Sequence, residues 1–404
     1  MGKSVLRSMQ GIRAYFSPNG VALGHAGRCV PIAQQIQGYG GRVLFSTYGD
    51  AVDFVKAAML PVVRGPAIRF EEMGDGTVAM LETAVKWPKH VYTFIRQLGN
   101  EIRLIRGFKT DVVISDSRLS PVFAAWGLNV PCVLLLHQLK MLIPHRTKLT
   151  PFKMKLKAFG EKIILYDTSL FWHRSDIILV PDFPPPFTIA KANLEIPQKL
   201  MKNVRLIGQV ISKRPEQYPS REELKEQLGF DDRPLIFAAI AGTRLEKKQL
   251  TEILVDIFSR FPNDYQIAMT RGIPGKIDVP VMKRDNLKVY DWVSDRYKLL
   301  KAADLVVSRA GHNTIAECMY YGKPMILIPT PAHTEHQSNA ESVERLKFGE
   351  VIQQQDLTFE MLMNGLKSLM DNVEVKRSIS RIQKKILKLN AVNTVLETIV
   401  KLKG

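Results

Sequence analysis

The sequence predicts an α/β protein built as two Rossmann-like halves facing each other across a cleft. Three observations carry that prediction. Strand-like and helix-like segments alternate from one end of the 404 residues to the other, the pattern of parallel sheets joined by crossover helices. The strand-like segments are continuous apolar runs, which suit strands buried on both faces. The length also exceeds what one ordinary core holds, so two domains is the natural division.

Ile12-Arg13-Ala14-Tyr15-Phe16 reads as the first strand, residues 18–27 as a glycine-bearing loop, and residues 28–39 as the first helix. Residues 42–47 form a second strand. Asp111-Val112-Val113-Ile114-Ser115 and Pro131-Cys132-Val133-Leu134-Leu135-Leu136 are later strands, separated by a helix that contains Ala124, Ala125 and Trp126. A proline-rich passage through residues 181–187 and 207–219 is the linker, with a boundary between residues 1–211 and 212–404. The second half opens near Pro234 with the strand 235–240, then Ala241-Gly242-Thr243. The helix after it carries Leu250, Ile253, Leu254, Ile257, Phe258 and Phe261 on a stripe of helical period. The tail from 375 to 403 is basic and amphipathic.

Composition narrows the function classes. Hydrophobic residues make up 46% of the chain, normal for a globular protein. The start lacks the apolar core of a signal peptide, and no apolar run reaches the length of a membrane span. Cys29, Cys132 and Cys318 suggest neither a disulfide framework nor a metal site. The expected location is therefore the cytoplasm. A formal net charge of +18 calls for an anionic partner: nucleic acid, a membrane surface or an acidic substrate. No aromatic-basic recognition motif or finger spacing supports nucleic acid. Between residues 140 and 162, Lys140, Arg146, Lys148, Lys153, Lys155, Lys157 and Lys162 face the single acid Glu161. Met141, Leu142, Ile143, Phe152, Met154, Leu156 and Phe159 are interleaved with them. Such a mixture fits docking on an anionic membrane; a solvated helix face beside a core stripe fits it equally.

The most informative stretch is Ser308-Arg309-Ala310-Gly311-His312-Asn313-Thr314-Ile315-Ala316-Glu317. It follows the apolar strand Leu305-Val306-Val307 and reads as strand, tight glycine turn and helix start. That geometry aims backbone N–H groups and a positive dipole end at an anion. Glu317 follows within reach of a ribose diol, so the pair suggests a nucleotide.

This run resembles the donor-nucleotide signature of GT-B glycosyltransferases, in particular the MurG-like and UDP-glycosyltransferase group of family 28 type. Those families continue with Gly-x-Pro, a strand, a proline and an acid or amide pair before Asn-Ala. Here the same order runs Gly322-Lys323-Pro324, Met325-Ile326-Leu327-Ile328, Pro329, Glu335-His336-Gln337, Asn339-Ala340. The resemblance extends over nearly the whole chain and is strongest between residues 234 and 340. It implies the GT-B fold, with a last helix that crosses back onto the N-terminal domain. It also implies inverting transfer of a sugar, N-acetylglucosamine or glucose, from a UDP-sugar co-substrate, with no further cofactor.

By the same resemblance His25, in Gly24-His25-Ala26-Gly27-Arg28, occupies the Gly-His loop whose histidine faces the acceptor and acts as general base. Imidazole chemistry suits that work. Leu23-Gly24 stands where many relatives have Gly-Gly. Asp116 ends its strand facing the cleft, placed either to orient His25 or to cap the next helix. His137 lines the acceptor pocket or belongs to an ordinary loop. Gly242, Thr243 and Arg244 stand where MurG-like proteins have a turn that touches the donor phosphates, and Val293 where the base is held. Arg309 matches an arginine of the MurG-like group and neutralises diphosphate or stiffens the turn. Gly311, His312, Asn313 and Thr314 surround the phosphate, Glu317 takes the ribose, and Glu335, His336 and Gln337 take donor-sugar hydroxyls. The inserted histidine at 336 leaves the sugar open. No Asp-x-Asp pair has a cleft context, so no obligatory metal is expected; helix dipole and donor groups stabilise the leaving diphosphate.

With the basic-apolar patch, this makes a lipid or lipid-linked acceptor the first choice, and the inner face of the cell membrane the working location. Three rivals stay open: a UDP-sugar 2-epimerase or hydrolase of the same fold, a basic nucleic-acid-binding protein, and a catalytically dead sugar-nucleotide sensor.

Overall fold

The computed structural model describes residues 8–21, 23–67, 87–140, 142, 150–273, 277–331 and 333–403. In the N-terminal half, the elements run β1 (Arg13–Pro18), α1 (Gly24–Gly38), β2 (Arg42–Thr47), α2 (Ala51–Ala57), β3 (Val62–Arg64) and α3 (Trp87–Phe108). They continue with β4 (Val112–Asp116), α4 (Leu119–Leu128), β5 (Cys132–Leu135), α5 (Pro151–Trp172), β6 (Ile177–Val180) and β7 (Val204–Leu206). The described strands form one seven-stranded sheet in the order β3-β2-β1-β4-β5-β6-β7, with every pairing parallel.

The second half comprises α6 (Arg221–Gln227), β8 (Leu235–Ala239), α7 (Arg244–Ser259), β9 (Gln266–Thr270), β10 (Pro280–Lys283), β11 (Leu287–Tyr290) and α8 (Arg296–Ala302). After these come β12 (Leu305–Ser308), α9 (His312–Tyr321), β13 (Met325–Leu327), α10 (Thr334–Arg345), β14 (Gly349–Val351), α11 (Phe359–Met370), α12 (Val373–Ile386) and α13 (Ala391–Lys403). Its sheet runs β10-β11-β9-β8-β12-β13-β14, parallel except for the β10–β11 edge pair. In each sheet the strand order reverses next to its first strand, between β1 and β4 and between β8 and β12. Such switch points open crevices at the carboxyl ends of the strands.

The apolar runs behave as their composition requires. β4, β5, β8 and β12 are buried along their full length, because helices cover both faces of each sheet. Phe261 falls just past the end of α7 but still packs in the same core. Ala391, Val395, Leu396 and Ile399 of α13 join the core of the N-terminal half beside Ile32, Ile36 and Val112. The last helix therefore returns to the first domain, and each large apolar side chain it buries there is worth about 1.5–3 kcal/mol.

Two local expectations are corrected. The first helix begins at Gly24, one turn before residue 28, so His25 lies in a helical first turn and not in a loop. Burial of Ala26, Cys29, Val30 and Ile32 carries the helix through Pro31 from this earlier start. Likewise Glu335, His336 and Gln337 lie in the first turn of α10, capped by the His333 side chain, and not in a loop.

Candidate functional site

The two crevices meet at the first turn of α1 and the first turn of α9. His25 Nδ1 lies 2.7 Å from Asp116 Oδ1, which ends β4 as the fully buried last residue of its strand. A buried carboxylate accepting at Nδ1 fixes the proton there and leaves Nε2 for a substrate proton. The His25 side chain keeps 18% of its surface open. Arg28, one turn along α1, grips Asp116 with two bonds, Nε to Oδ2 at 3.0 Å and Nη2 to Oδ1 at 2.9 Å. Burial alone would raise the Asp116 carboxyl, but the Arg28 charge and His25 hold it well below the usual carboxylate range.

His137, just past β5, completes this side. Its Nδ1 sits 3.3 Å from Arg28 Nη2, and its Nε2 faces Glu335 Oε1 of α10 at 3.4 Å. Burial and the Arg28 charge push its imidazole down to about 4, so it stays neutral. Burial would raise Glu335, yet the His137 hydrogen bond keeps its carboxyl well below the ordinary range. Glu335 is thus tied to the N-terminal half.

On the side of the second half, the first turn of α9 is an open helix terminus. Its N-cap is Gly311, no side chain caps it, and its first turn holds no acid. Gly311 has φ −73°, an ordinary value. The expected tight turn therefore does not need glycine for conformation, and a Cβ there would meet nothing within 4 Å. What glycine leaves is space above free N–H groups. His312 is buried with Nε2 3.2 Å from Oδ2 of Asp182, which follows β6 in the N-terminal half, so the linker expected at residues 181–187 lies inside that half. Asp182 in turn accepts from the backbone N–H groups of Phe183, Ile189 and Ala190. Thr314 is also buried.

Asn313 does something the sequence reading missed. Its Oδ1 accepts from Gln209 Nε2 at 2.8 Å and Arg28 Nη1 at 3.2 Å, and its Nδ2 donates to the Gly24 carbonyl at 3.2 Å. It bridges the two halves. Glu317, on the next turn, binds Arg296 with one oxygen and the Tyr297 hydroxyl with the other, the latter at 3.1 Å. A carboxylate has about four lone-pair sites, so acceptor capacity remains.

Several other predicted residues have different duties. Thr243 is the N-cap of α7: its hydroxyl accepts from Glu246 N–H, and its own N–H donates to Glu246 Oε2 at 2.7 Å. This is a capping box, so the turn at Gly242 and Thr243 is closed by an internal carboxylate where an anion was expected. Arg244 is exposed beside it. Arg309 does not reach the cleft as a free cation. It is 1% exposed and donates to the carbonyls of Ile328 and Glu246, with burial lowering it to about 10. Of the two roles weighed for it, stiffening the turn is the one the contacts describe. His336 stacks on His333 and meets the Thr330 hydroxyl at 3.1 Å; burial and His333 push it down to about 3. Gln337 exchanges side-chain amide hydrogen bonds with Gln353. Val293 is half-buried against the core of the second half.

The basic-apolar patch lies largely on α5. Phe152, Met154, Leu156, Phe159 and Ile163 are exposed there, and Lys157 pairs with Glu161. Lys140 is bound to Glu195 at 2.6 Å. Met141, Ile143, Arg146 and Lys148 lie outside the described residues. Among the described residues no helix is long and apolar enough to cross a membrane.

Comparison with known proteins bears on the family and the fold. Residues 246–395 match the glycosyltransferase family 28 C-terminal domain. An uncharacterized glycosyltransferase of Methanosarcina mazei is 23% identical over 395 residues, 95% of this chain and 97% of its own length. The UDP-N-acetylglucosamine–N-acetylmuramyl-(pentapeptide) pyrophosphoryl-undecaprenol N-acetylglucosamine transferase of Geobacillus kaustophilus is 26% identical over 293 residues, 70% of this chain and 71% of that one. Among solved structures, the calicheamicin glycosyltransferase superposes with a TM-score of 0.64 at 15% identity, covering 97% of this chain and 98% of that one. MurG of Acinetobacter baumannii gives 0.59 at 17%, covering 96% and 99%.

Proposed function

We propose, from the premise that this chain is a MurG-like glycosyltransferase of family 28 type with the GT-B fold, that it moves a sugar from a UDP-sugar to a lipid or lipid-linked acceptor. The observation that carries the reading is convergence. The His25–Asp116 pair and the open first turn of α9 meet at one point, joined through Arg28 and Asn313.

In this reading His25 Nε2 takes the acceptor hydroxyl proton while that oxygen attacks the anomeric carbon from the face opposite the leaving group. The sugar inverts. Asp116 holds the imidazole and stabilises its cationic form. The leaving diphosphate develops charge over the N–H groups of Gly311, His312, Asn313 and Thr314, where the dipole of α9 replaces a cation; we therefore propose metal-independent transfer. Glu317 takes the ribose diol with its remaining acceptor capacity, and Val293 lies beside the base. N-acetylglucosamine or glucose is the proposed sugar. The exposed Phe152, Met154, Leu156 and Phe159 among lysines support an acceptor presented at an anionic membrane.

The test is release of UDP from UDP-N-acetylglucosamine and UDP-glucose with polyprenyl-phosphate acceptors in anionic vesicles. His25→Ala should lower turnover by about 10²–10⁴-fold with UDP affinity unchanged. Free sugar formed without consumption of any acceptor would favour the epimerase or hydrolase reading instead.

A further inference from the structure

We propose that Arg28 is a positioning residue for the transfer: one guanidinium fixes the Asp116–His25 pair and, through Asn313, sets the register of that pair against the donor-side helix α9. The inference rests on the proposed function in taking His25 as the base and α9 as the donor-phosphate site.

The geometry is specific. Each of the three guanidinium nitrogens meets an acceptor. Nε and Nη2 form a fork onto the two Asp116 oxygens, Nη1 reaches Asn313 Oδ1, and Nη2 lies 2.9 Å from His25 Nδ1. The side chain is 2% exposed. Arginine is the residue whose planar fork serves a carboxylate and a third acceptor together. Asn313 returns the contact to α1 through the Gly24 carbonyl, so the base and the helix that would hold the leaving group are tied by two bonds across the cleft. A movement of α9 on loading with nucleotide is thereby transmitted to His25.

The charge matters as well as the shape. The groups facing His25 are Arg28 on its own helix, Asp116 at the end of β4 and His137 past β5, whose ring centroid is 5.9 Å away. Behind His137 stand Glu335 of α10 and His312 of α9. Arg28 is the cation among them, in direct contact with His25.

The experiment is an NMR titration of the His25 imidazole in the full chain with carbon-13-labelled histidine, assigned with His25→Asn. It compares wild type, Arg28→Gln and Arg28→Lys, each with and without UDP. Arg28→Gln should raise the His25 midpoint above that of wild type, because a neighbouring cation is lost. Arg28→Lys keeps a charge and should leave the midpoint near that of wild type. Equal midpoints in wild type and Arg28→Gln overturn the inference. Because an unpaired buried Asp116 can prevent folding, Asn313→Ala supplies a second arm that leaves the ion pair intact. At saturating UDP the His25 signal should move in wild type and stay in place in Asn313→Ala; a response that survives there overturns the coupling. If UDP does not bind wild type, or His25→Ala leaves UDP release intact, the proposed function fails while the Arg28→Gln titration still decides whether Arg28 governs His25.

Discussion

Two helices of the second half start in matching places and end up with opposite chemistry. α7 follows β8, α9 follows β12, and the two strands are parallel neighbours. Each helix therefore points its N–H groups at the same crevice. At α7, Thr243 and Glu246 close the terminus with a capping box, and the carboxylate occupies the position an anion would take. At α9 the cap is a glycine with no side chain and no acid in the first turn. A helix N-terminus is an anion site only when its own sequence has not already supplied the anion. The difference favours α9 as the place for the proposed donor diphosphate and gives the start of α7 a structural role.

The sharpest way to break this comparison is to make α9 resemble α7. Gly311→Asp places a carboxylate over the open N–H groups. Its φ suits any residue and the added Cβ meets no neighbour. UDP affinity measured by titration calorimetry should fall at least about 100-fold, about 2.7 kcal/mol, with thermal stability unchanged or higher since Asp is a good cap. Gly311→Ala should stay within about threefold of wild type, roughly 0.6 kcal/mol. Strong UDP binding by Gly311→Asp would move the phosphate elsewhere.

Acid should act next most strongly, and on the closed end. His336 packs near Glu246 and is held down to about 3, and His137 to about 4. Both fold neutral, whereas in the unfolded chain they titrate near 6.5. Between the folded and unfolded values the unfolded state binds more protons, so stability is fully present above pH 6.5 and is lost as pH falls toward 4. The slope is up to about 1.4 kcal/mol per pH unit for each histidine. Thermal unfolding across that range should show it, and His336→Asn should flatten the curve; an unchanged curve would mean that His336 is not buried neutral.

Glu317→Ala should weaken UDP by about tenfold, near 1.4 kcal/mol, if the ribose shares the carboxylate with Arg296 and Tyr297. A variant that binds UDP normally would make Glu317 purely a partner of Arg296. The smallest effect belongs to Thr243→Ala: about 1 kcal/mol of stability from the lost cap, with UDP affinity within about twofold. A large loss of UDP affinity there would show that the α7 turn touches phosphate after all.

Much of this was open to reading along the chain. The alternation of apolar runs located β1, β2, β4, β5, β8 and β12 to within a residue or two, because a strand buried on both faces has to be apolar throughout. The run from Ser308 to Glu317 marked the start of α9 for the same local reason. The capping box Thr243-Arg244-Leu245-Glu246 was equally local, the Thr-x-x-Glu spacing, but the likeness to a phosphate turn drew the reading away from it. Arg28 carried no such sign: between a glycine and a cysteine on a helix it reads as an ordinary base.

What the sequence determined by itself was whatever depends on near neighbours: strand and helix periodicity, the division into two halves, caps, and the family signature of the donor region. What only the tertiary structure decided was which polar groups meet. Asp116 is 88 residues from Arg28, and Asn313 is 285 residues from it; no spacing rule links them. They meet because two parallel sheets bring their carboxyl ends to one cleft, and because a buried carboxylate must find a cation wherever the fold supplies one. The same logic withdrew Arg309 from the cleft, whose guanidinium was captured by carbonyls of its own half. Local pattern fixes the elements, and desolvation of charge then selects the partners among them.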